Sequence, residues 1–229
     1  MTKNYTHYYK DLHKDISIPQ PHIEYLNSIN YTPKVIFDIG SAVLHWTKEA
    51  KKVWPDARYI AFEGMKEVEE LYSEMDQECT LELLSNVVGR KVMYNCHPLY
   101  LGGNSYYIEN EEYSKAAKDI YTKEYEQERT TTTLDQLVKE FNYPQPDLIK
   151  IDTQGSEIDI LKGAEKTIVG VKHMIVELQH VQYNIGAKLV DESLEYIDSL
   201  GFELVPTGNG NKYFCGNGPD ADYHFIRKN

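Results

Sequence analysis

The sequence predicts one α/β domain on an open, mostly parallel sheet with helices on both faces, and three observations carry that prediction. Short runs rich in β-branched and aromatic residues, VIFDIG, ARYIAFEG, DLIKID and MIVEL, alternate with stretches of helical periodicity, the pattern of parallel strands joined by crossover helices. The chain has 229 residues and 41% hydrophobic content, enough to fill one core and too short for two. FELV and YHFIRK, near the end, read as a closing antiparallel strand pair.

Residues 1–33 read as an N-terminal helical extension and 34–229 as the main domain. In HIEYLNSI, residues Ile23, Leu26 and Ile29 share one face before Pro33 interrupts, so this helix is expected to pack on the sheet edge. VIFDIG supplies the first strand, a helix runs through AKKVW, and ARYIAFEG supplies the second strand. TLELLSNVVG and KVMYNCHPL, separated by Gly89 and Arg90, suggest a strand and hairpin. Around 102–129 lies a charged, tyrosine-rich insertion without strand periodicity, either a lid or solvated surface. Thr133 and Gln136 stand at capping-box spacing before the apolar stripe Leu134, Leu137, Val138 and Phe141, and Pro144 and Pro146 end that helix. DLIKID turns at Gly155 into SEIDILKGAEKTI, MIVEL follows, and ESLEYIDSL stops at Gly201.

The formal charge of −12 repels phosphate backbones and anionic membrane surfaces, which disfavours nucleic acid as a partner. Cys79, Cys96 and Cys215 are odd in number, widely spaced and without a CxxC pair, which fits reduced thiols in a cytoplasmic setting. The opening MTKNYTHYYKDLHK has no apolar signal core, and no apolar run reaches the ~18 residues of a membrane span, so membrane insertion is not expected.

In such a sheet, ligands bind beyond the carboxyl ends of the strands where the strand order reverses. The residues there are Asp38, Gly40 and Ser41, then Glu63, then Ser85 and Asn86, then Asp152, Gln154 and Gly155, then Glu177, Gln179 and His180. Glycine lets backbone approach a ligand, and an acid ending the second strand is placed to accept hydrogen bonds from two ribose hydroxyls. A pyrophosphate cradle would need GxGxxG, and DIGSAVLHW holds a single glycine, which points to a nucleoside without phosphates.

VIFDIGSA, IAFEGM, the TLD of TTTTLDQL, DLIKIDTQGSEIDILKGAE and IVELQHVQYNIGA occur in the order and spacing of the FkbM-like methyltransferases, and the chain resembles that family from Val35 to its end. The resemblance implies a Rossmann-like class I methyltransferase fold, S-adenosyl-L-methionine as methyl donor, and O-methylation of a sugar or other small hydroxylated metabolite. By position it implies Asp38 and Gly40 near the donor's amino acid part, Glu63 at the ribose and Ser85 with Asn86 at the adenine edge, with Ser41, Gly64 and Asp152 completing the donor site. The chain departs from the family where Val43, Leu44 and His45 replace small residues, and where Gly64 replaces a frequent proline.

Methyl transfer from a sulfonium is an in-line displacement of an activated group, so the protein must align an acceptor oxygen and remove its proton. Asp152, Glu177 and His180 are the expected catalytic residues. Together they form a possible site for Mg2+ or Mn2+ that would lower the hydroxyl's pKa, with His180 as direct base a parallel reading. Against the metal, strand-end carboxylates often cap a helix or pair with a lysine, here Lys150 or Lys162. Gly102 and Gly103 begin a small-residue loop whose Asn104, Ser105 and Tyr106, with Gln154, Gln179 and Tyr183, are the expected contacts to a sugar, nucleotide-sugar or glycan acceptor; a plain hairpin turn is the alternative. His45 and Trp46 are expected to pack beneath the first helix. Acceptors also open to this reading are small non-sugar metabolites, and the chain could instead be a non-catalytic donor-binding scaffold in glycan assembly.

Overall fold

The computed structural model describes residues 5–15, 20–115, 117–207, 213–216 and 218–228; the first residues of the extension and the tract 16–19 lie outside these. In chain order the described elements are α1 Thr6–Asp15, α2 Pro21–Ser28, β1 Val35–Ile39, α3 His45–Val53, β2 Arg58–Phe62, α4 Glu69–Glu74, β3 Cys79–Thr80, β4 Leu83–Leu84 and β5 Lys91–Asn95. They continue with α5 Ala117–Ile120, β6 Glu126–Thr132, α6 Leu134–Glu140, β7 Leu148–Ile151, α7 Glu157–Lys162, β8 His173–Gln179, α8 Val190–Ser199, β9 Phe202–Leu204 and β10 Asp220–Arg227.

Seven strands form one sheet in the order β3-β2-β1-β7-β8-β10-β9. The pairs through β8 are parallel, whereas β10 runs antiparallel to both β8 and β9. The alternating runs of the sequence are therefore the central strands, and the expected C-terminal reversal is β10. Strand order reverses between β1 and β7, which puts the site at the carboxyl ends of those two strands.

Alternation along each strand builds two apolar layers. Phe37, Ile39, Ile149, Ile151, Met174 and Val176 face α6, α7 and α8, which supply Leu137, Leu161 and Ile197 to the same cluster. Ile36, Leu148 and Ile175 face the other way, against Ile23 and Leu26 of α2 and Trp46 and Ala50 of α3. α2 thus lies across the central strands instead of at the sheet edge, because Ile23 and Leu26 fill a face that α3 alone leaves uncovered. Ile29, beyond the last turn, is exposed. Before it, α1 packs Tyr9 against the layer formed by Leu71, Tyr72 and Leu83.

The third run departs from the hairpin expectation. TLELL splits between β3 in the main sheet and β4 in a three-stranded sheet of order β4-β6-β5, so β6 lies where a hairpin would have paired β4 with β5. β6 occupies the last part of the polar insertion: EQERTTT exposes alternate residues, pairing antiparallel with β5 and parallel with β4. The remainder of the insertion is pinned. Ser105 bridges Asn95, Glu109 bridges Asn184, and the Asn184 amide donates to the Tyr107 carbonyl at 3.1 Å. Thr133 caps α6 as its spacing implies, accepting the Gln136 N–H at 3.2 Å.

Candidate active site

A cavity of about 260 Å3 opens at the carboxyl ends of β1, β2, β7 and β8. The β1–α3 turn forms one wall. Gly40 has φ +79°, and a Cβ there would fall 1.8 Å from the Asp152 carbonyl oxygen, so only glycine lets this turn lie against the end of β7. Glu63, ending β2, lies in the wall. Its Oε2 accepts the Ala42 N–H at 2.8 Å and its Oε1 the Met65 N–H at 2.9 Å, which hold the turn to β2. Burial raises the Glu63 pKa, opposed by those same two bonds. Each carboxylate oxygen still has a lone pair to offer.

Beyond Glu63, Gly64 packs so closely on Leu83 and Tyr94 that a Cβ would sit 2.9 Å from Leu83 Cδ1, and the Arg129 guanidinium of β6 donates to its carbonyl at 2.7 Å. Leu83, Leu84 and Tyr94 make this side of the cavity apolar.

On the opposite wall, Gln154 sits in the left-handed region at φ +55° and its amide donates to Asp152 Oδ1 at 3.2 Å and to Glu177 Oε2 at 2.8 Å. Asp152 Oδ2 accepts from Lys150 at 2.8 Å. Lys150 is 4% exposed, and Asp152, Asp38 and Asp222 together overcome the burial that would otherwise neutralise it. Lysine pairing at the strand end, weighed above against a metal, is what Asp152 does here. Burial first, then Asp152 and Asp220, raise the Glu177 pKa well above the usual carboxylate range. His45 also faces this cavity, and burial and Lys150 keep its imidazole pKa low.

The structure brings together Gly40, Glu63, Gly64, Asn104, Ser105, Tyr106, Asp152, Gln154 and Glu177 around this cavity. The Asn104 carbonyl oxygen of the side chain accepts the His97 N–H at 2.7 Å and its amide donates to the His97 carbonyl, while the Ser105 hydroxyl donates to the Gln154 carbonyl at 2.7 Å. Other expected residues stand behind the walls. Asp38 is buried beneath the turn, accepting from Thr47 at 2.6 Å. Ser41 bonds Tyr72 at 2.7 Å. Ser85 is buried against Arg90 and Asn86 is exposed. Gln179 bonds Asn184 through both of its polar atoms, and Tyr183 bonds through its carbonyl to Asn110. Neither Gln179 nor Tyr183 lines the cavity.

His180 is the clearest departure. It follows the last residue of β8, and its Nε2 pairs with the Tyr223 hydroxyl at 2.9 Å, with its ring tilted against Tyr213. Glu177 pairs across the strands with Asp222, the neighbour of Tyr223, and successive strand residues point to opposite faces. Asp152, Glu177 and His180 therefore do not converge, and the expected Mg2+ or Mn2+ ligand set is not formed. Among the described residues, the His, Cys, Asp and Glu side chains whose ligand atoms do converge are His22, Cys215 and Asp222, elsewhere in the fold.

A second cavity of about 290 Å3 adjoins the first through Ser105 and Tyr106. Asn95, at the end of β5, lies in its wall, 3% exposed, with neither its side-chain oxygen nor its nitrogen bonded to protein. Sequence reasoning missed Asn95 and His45: Asn95 sits in a run read as a hairpin, and His45 in a helix start read as packing, although Trp46 does pack as expected.

A profile described as the methyltransferase FkbM domain matches residues 37–204. No curated protein sequence matches the chain. Among solved structures, it is similar to the precorrin-6y C5,15-methyltransferase of Geobacter metallireducens at 12% identity and TM-score 0.45, covering 93% of each chain. It is also similar to the 1,6-didemethyltoxoflavin-N1-methyltransferase of Burkholderia thailandensis at 9% identity and TM-score 0.49, covering 98% of this chain and 84% of that one. A third similarity, to a TehB-like SAM-dependent methyltransferase of Corynebacterium glutamicum, has 12% identity and TM-score 0.46 and covers 98% of this chain and 97% of that one.

Proposed function

The chain belongs to the FkbM methyltransferase domain family, and from that premise we propose that it transfers a methyl group from S-adenosyl-L-methionine to a hydroxyl of a sugar, nucleotide-sugar or glycan. The observation that carries the donor half is the cradle at the switch point: backbone that only Gly40 allows, facing an acid at the end of β2. Glu63 is suited to two ribose hydroxyls, because its oxygens keep lone pairs after holding Ala42 and Met65. Leu83 and Leu84 offer an apolar bed for a flat base, in place of Ser85 and Asn86 behind them. The bound donor supplies an already activated methyl group.

The chain's own work is then to orient the acceptor and take its proton. Glu177 is placed for that. Its burial beside Asp152 makes it hold a proton more tightly than a free carboxylate, which brings it closer to what a hydroxyl's proton acceptor needs. Gln154, bonded to both carboxylates, fixes their spacing. The acceptor reading is supported by Asn95. A buried primary amide with both polar atoms free complements a pair of neighbouring hydroxyls, one accepting and one donating, and Tyr106 and Tyr121 line the same cavity.

Calorimetric titration with S-adenosyl-L-methionine and S-adenosylhomocysteine tests the donor half. We expect micromolar binding, about −8 kcal/mol, unchanged by chelation of divalent ions, and roughly 10- to 100-fold weaker in Glu63→Gln, the effect of weakening a charge-assisted hydrogen bond. Absence of donor binding would sink the reading. In an acceptor screen over sugars, Glu177→Gln should keep donor affinity and lose about 10²-fold or more in turnover. A wild-type protein that binds donor but methylates nothing across sugars and small metabolites would favour the scaffold reading.

A further inference from the structure

On the far side of the sheet from α6 and α8, three ligand-bearing side chains from distant parts of the chain meet. His22 stands in the first turn of α2, Cys215 precedes β10, and Asp222 lies in β10. Cys215 and Asp222 are held opposite each other by backbone bonds, Asp222 N–H to the Cys215 carbonyl at 3.0 Å and Phe214 N–H to the Asp222 carbonyl at 3.1 Å. His22 is 1% exposed and packed against the Phe214 ring at 4.9 Å, so its imidazole is fixed as well.

The three ligand atoms form a small triangle with one short edge. Cys215 Sγ lies 3.5 Å from His22 Nε2 and 2.9 Å from the Asp222 carboxylate, and His22 Nε2 lies 3.7 Å from that carboxylate. A tetrahedral zinc ion with bonds of about 2.3 Å to sulfur and about 2.0 Å to nitrogen and oxygen requires ligand-to-ligand edges of about 3.3–3.6 Å. Two of the three edges already match within a few tenths of an ångström. The third is short because the thiol now donates its hydrogen to the carboxylate, and a metal would take the place of that hydrogen.

We propose that His22, Cys215 and Asp222 form a binding site for a zinc-class divalent ion that ties the N-terminal helix α2 to the C-terminal strand β10. The ligand set selects the ion. One thiolate, one imidazole and one carboxylate suit zinc or cobalt, whereas magnesium and calcium call for oxygen ligands throughout. On binding, the Cys215 thiol loses its proton to solvent and the sulfur takes the metal; the fourth position is left to water. The rings of Phe214 and His224 pack against His22, and Tyr25 packs against both of those rings, a surround that limits solvent access to a bound ion. None of its ligands lines the cavity, although Asp222 pairs with Glu177 across the strands, so the site is tested by metal uptake itself and not by turnover.

The full chain, stripped with chelator and dialysed, should take up one zinc ion per chain in competition with a chromophoric chelator. Loaded instead with cobalt, it should show the near-ultraviolet absorption of a thiolate-to-cobalt bond together with visible bands of tetrahedral strength. The thiolate band should vanish in Cys215→Ser and persist in Cys79→Ser and Cys96→Ser. His22→Gln keeps the thiol, and in it we expect at least tenfold weaker zinc retention with altered visible bands. Should Cys215→Ser fail to fold, by circular dichroism, His22→Gln and Asp222→Asn carry the same test. Either of two results would overturn the proposal: wild-type protein that takes up neither ion, or a cobalt–thiolate band that survives loss of Cys215.

Discussion

Gly40→Ala is expected to lower folding stability by about 3–5 kcal/mol and to abolish donor binding. Two costs add. The backbone at φ +79° disfavours any side chain, at about 1–2 kcal/mol. The larger cost is steric, because the new methyl would meet the Asp152 carbonyl oxygen at 1.8 Å, and that oxygen belongs to backbone that cannot rotate away. Either the β1–α3 turn or the end of β7 must shift; Ala42, Asp152 and Gln154 sit on those two segments, and Glu63 is bonded to Ala42. Gly89→Ala is the control: φ is +84°, yet nothing lies within 4 Å of its Cβ position, so only the conformational cost should appear. Urea denaturation of both variants checks this, and equal losses of stability would refute the steric argument.

Glu157→Gln is expected to stabilise the protein above neutral pH and to have little effect below about pH 5. Glu157 is 4% exposed in the first turn of α7, and its Oε1 gathers the Thr153 and Gly155 N–H groups and the Thr153 hydroxyl. Burial, opposed by these bonds, pushes its pKa from 4.5 up to about 7. A carboxyl whose folded pKa is raised binds its proton more tightly when folded, so its contribution is full below the unfolded pKa and is lost as pH climbs through the folded one. The window is therefore about pH 4.5 to 7, and the loss is on the order of 3 kcal/mol for a shift of this size. Glutamine keeps an oxygen for the same donors and carries no charge. Denaturant midpoints of both proteins at pH 5 and pH 8 should thus diverge in favour of the variant at the higher pH. A gap that stays constant with pH would show that the charge of Glu157 does not set it.

Much of the sheet was legible because its central strands are buried on both faces. VIFDI, RYIAF, LIKI and HMIVELQ must be nearly continuous in apolar residues when helices cover either side, and such runs stand out from a polar chain. β6 was not legible, since EQERTTT faces solvent on alternate positions and takes its stability from β4 and β5 on its two edges, a property of partners far away in sequence. α1 was hidden likewise: its buried Tyr9 is one residue in a polar helix. At the site, Gly40, Glu63 and Asp152 could be found because each follows a strand directly, and Glu177 because it lies near the carboxyl end of β8. His180 obeys the alternation of faces instead: three residues after Glu177 it points to the opposite face, where its side chain finds Tyr223. Asn95 left no signal at all, because an amide is informative only once its neighbours are known not to bond it.

The order of the small sheet has a consequence for how the chain is made. Leu83 and Lys91 both find their partners in β6, at Thr131 and Thr130, so neither β4 nor β5 can close a ladder while the intervening chain is still being synthesised. A hairpin would have sealed these edges within moments of leaving the ribosome; here they emerge open, with apolar Leu83, Leu84 and Tyr94 beside them, and stay so until residue 132 has followed. The wall beside Glu63 is thus completed late, by a long-range contact that slows folding, and nascent chains stalled before β6 should be the ones that chaperones hold and that stick to one another.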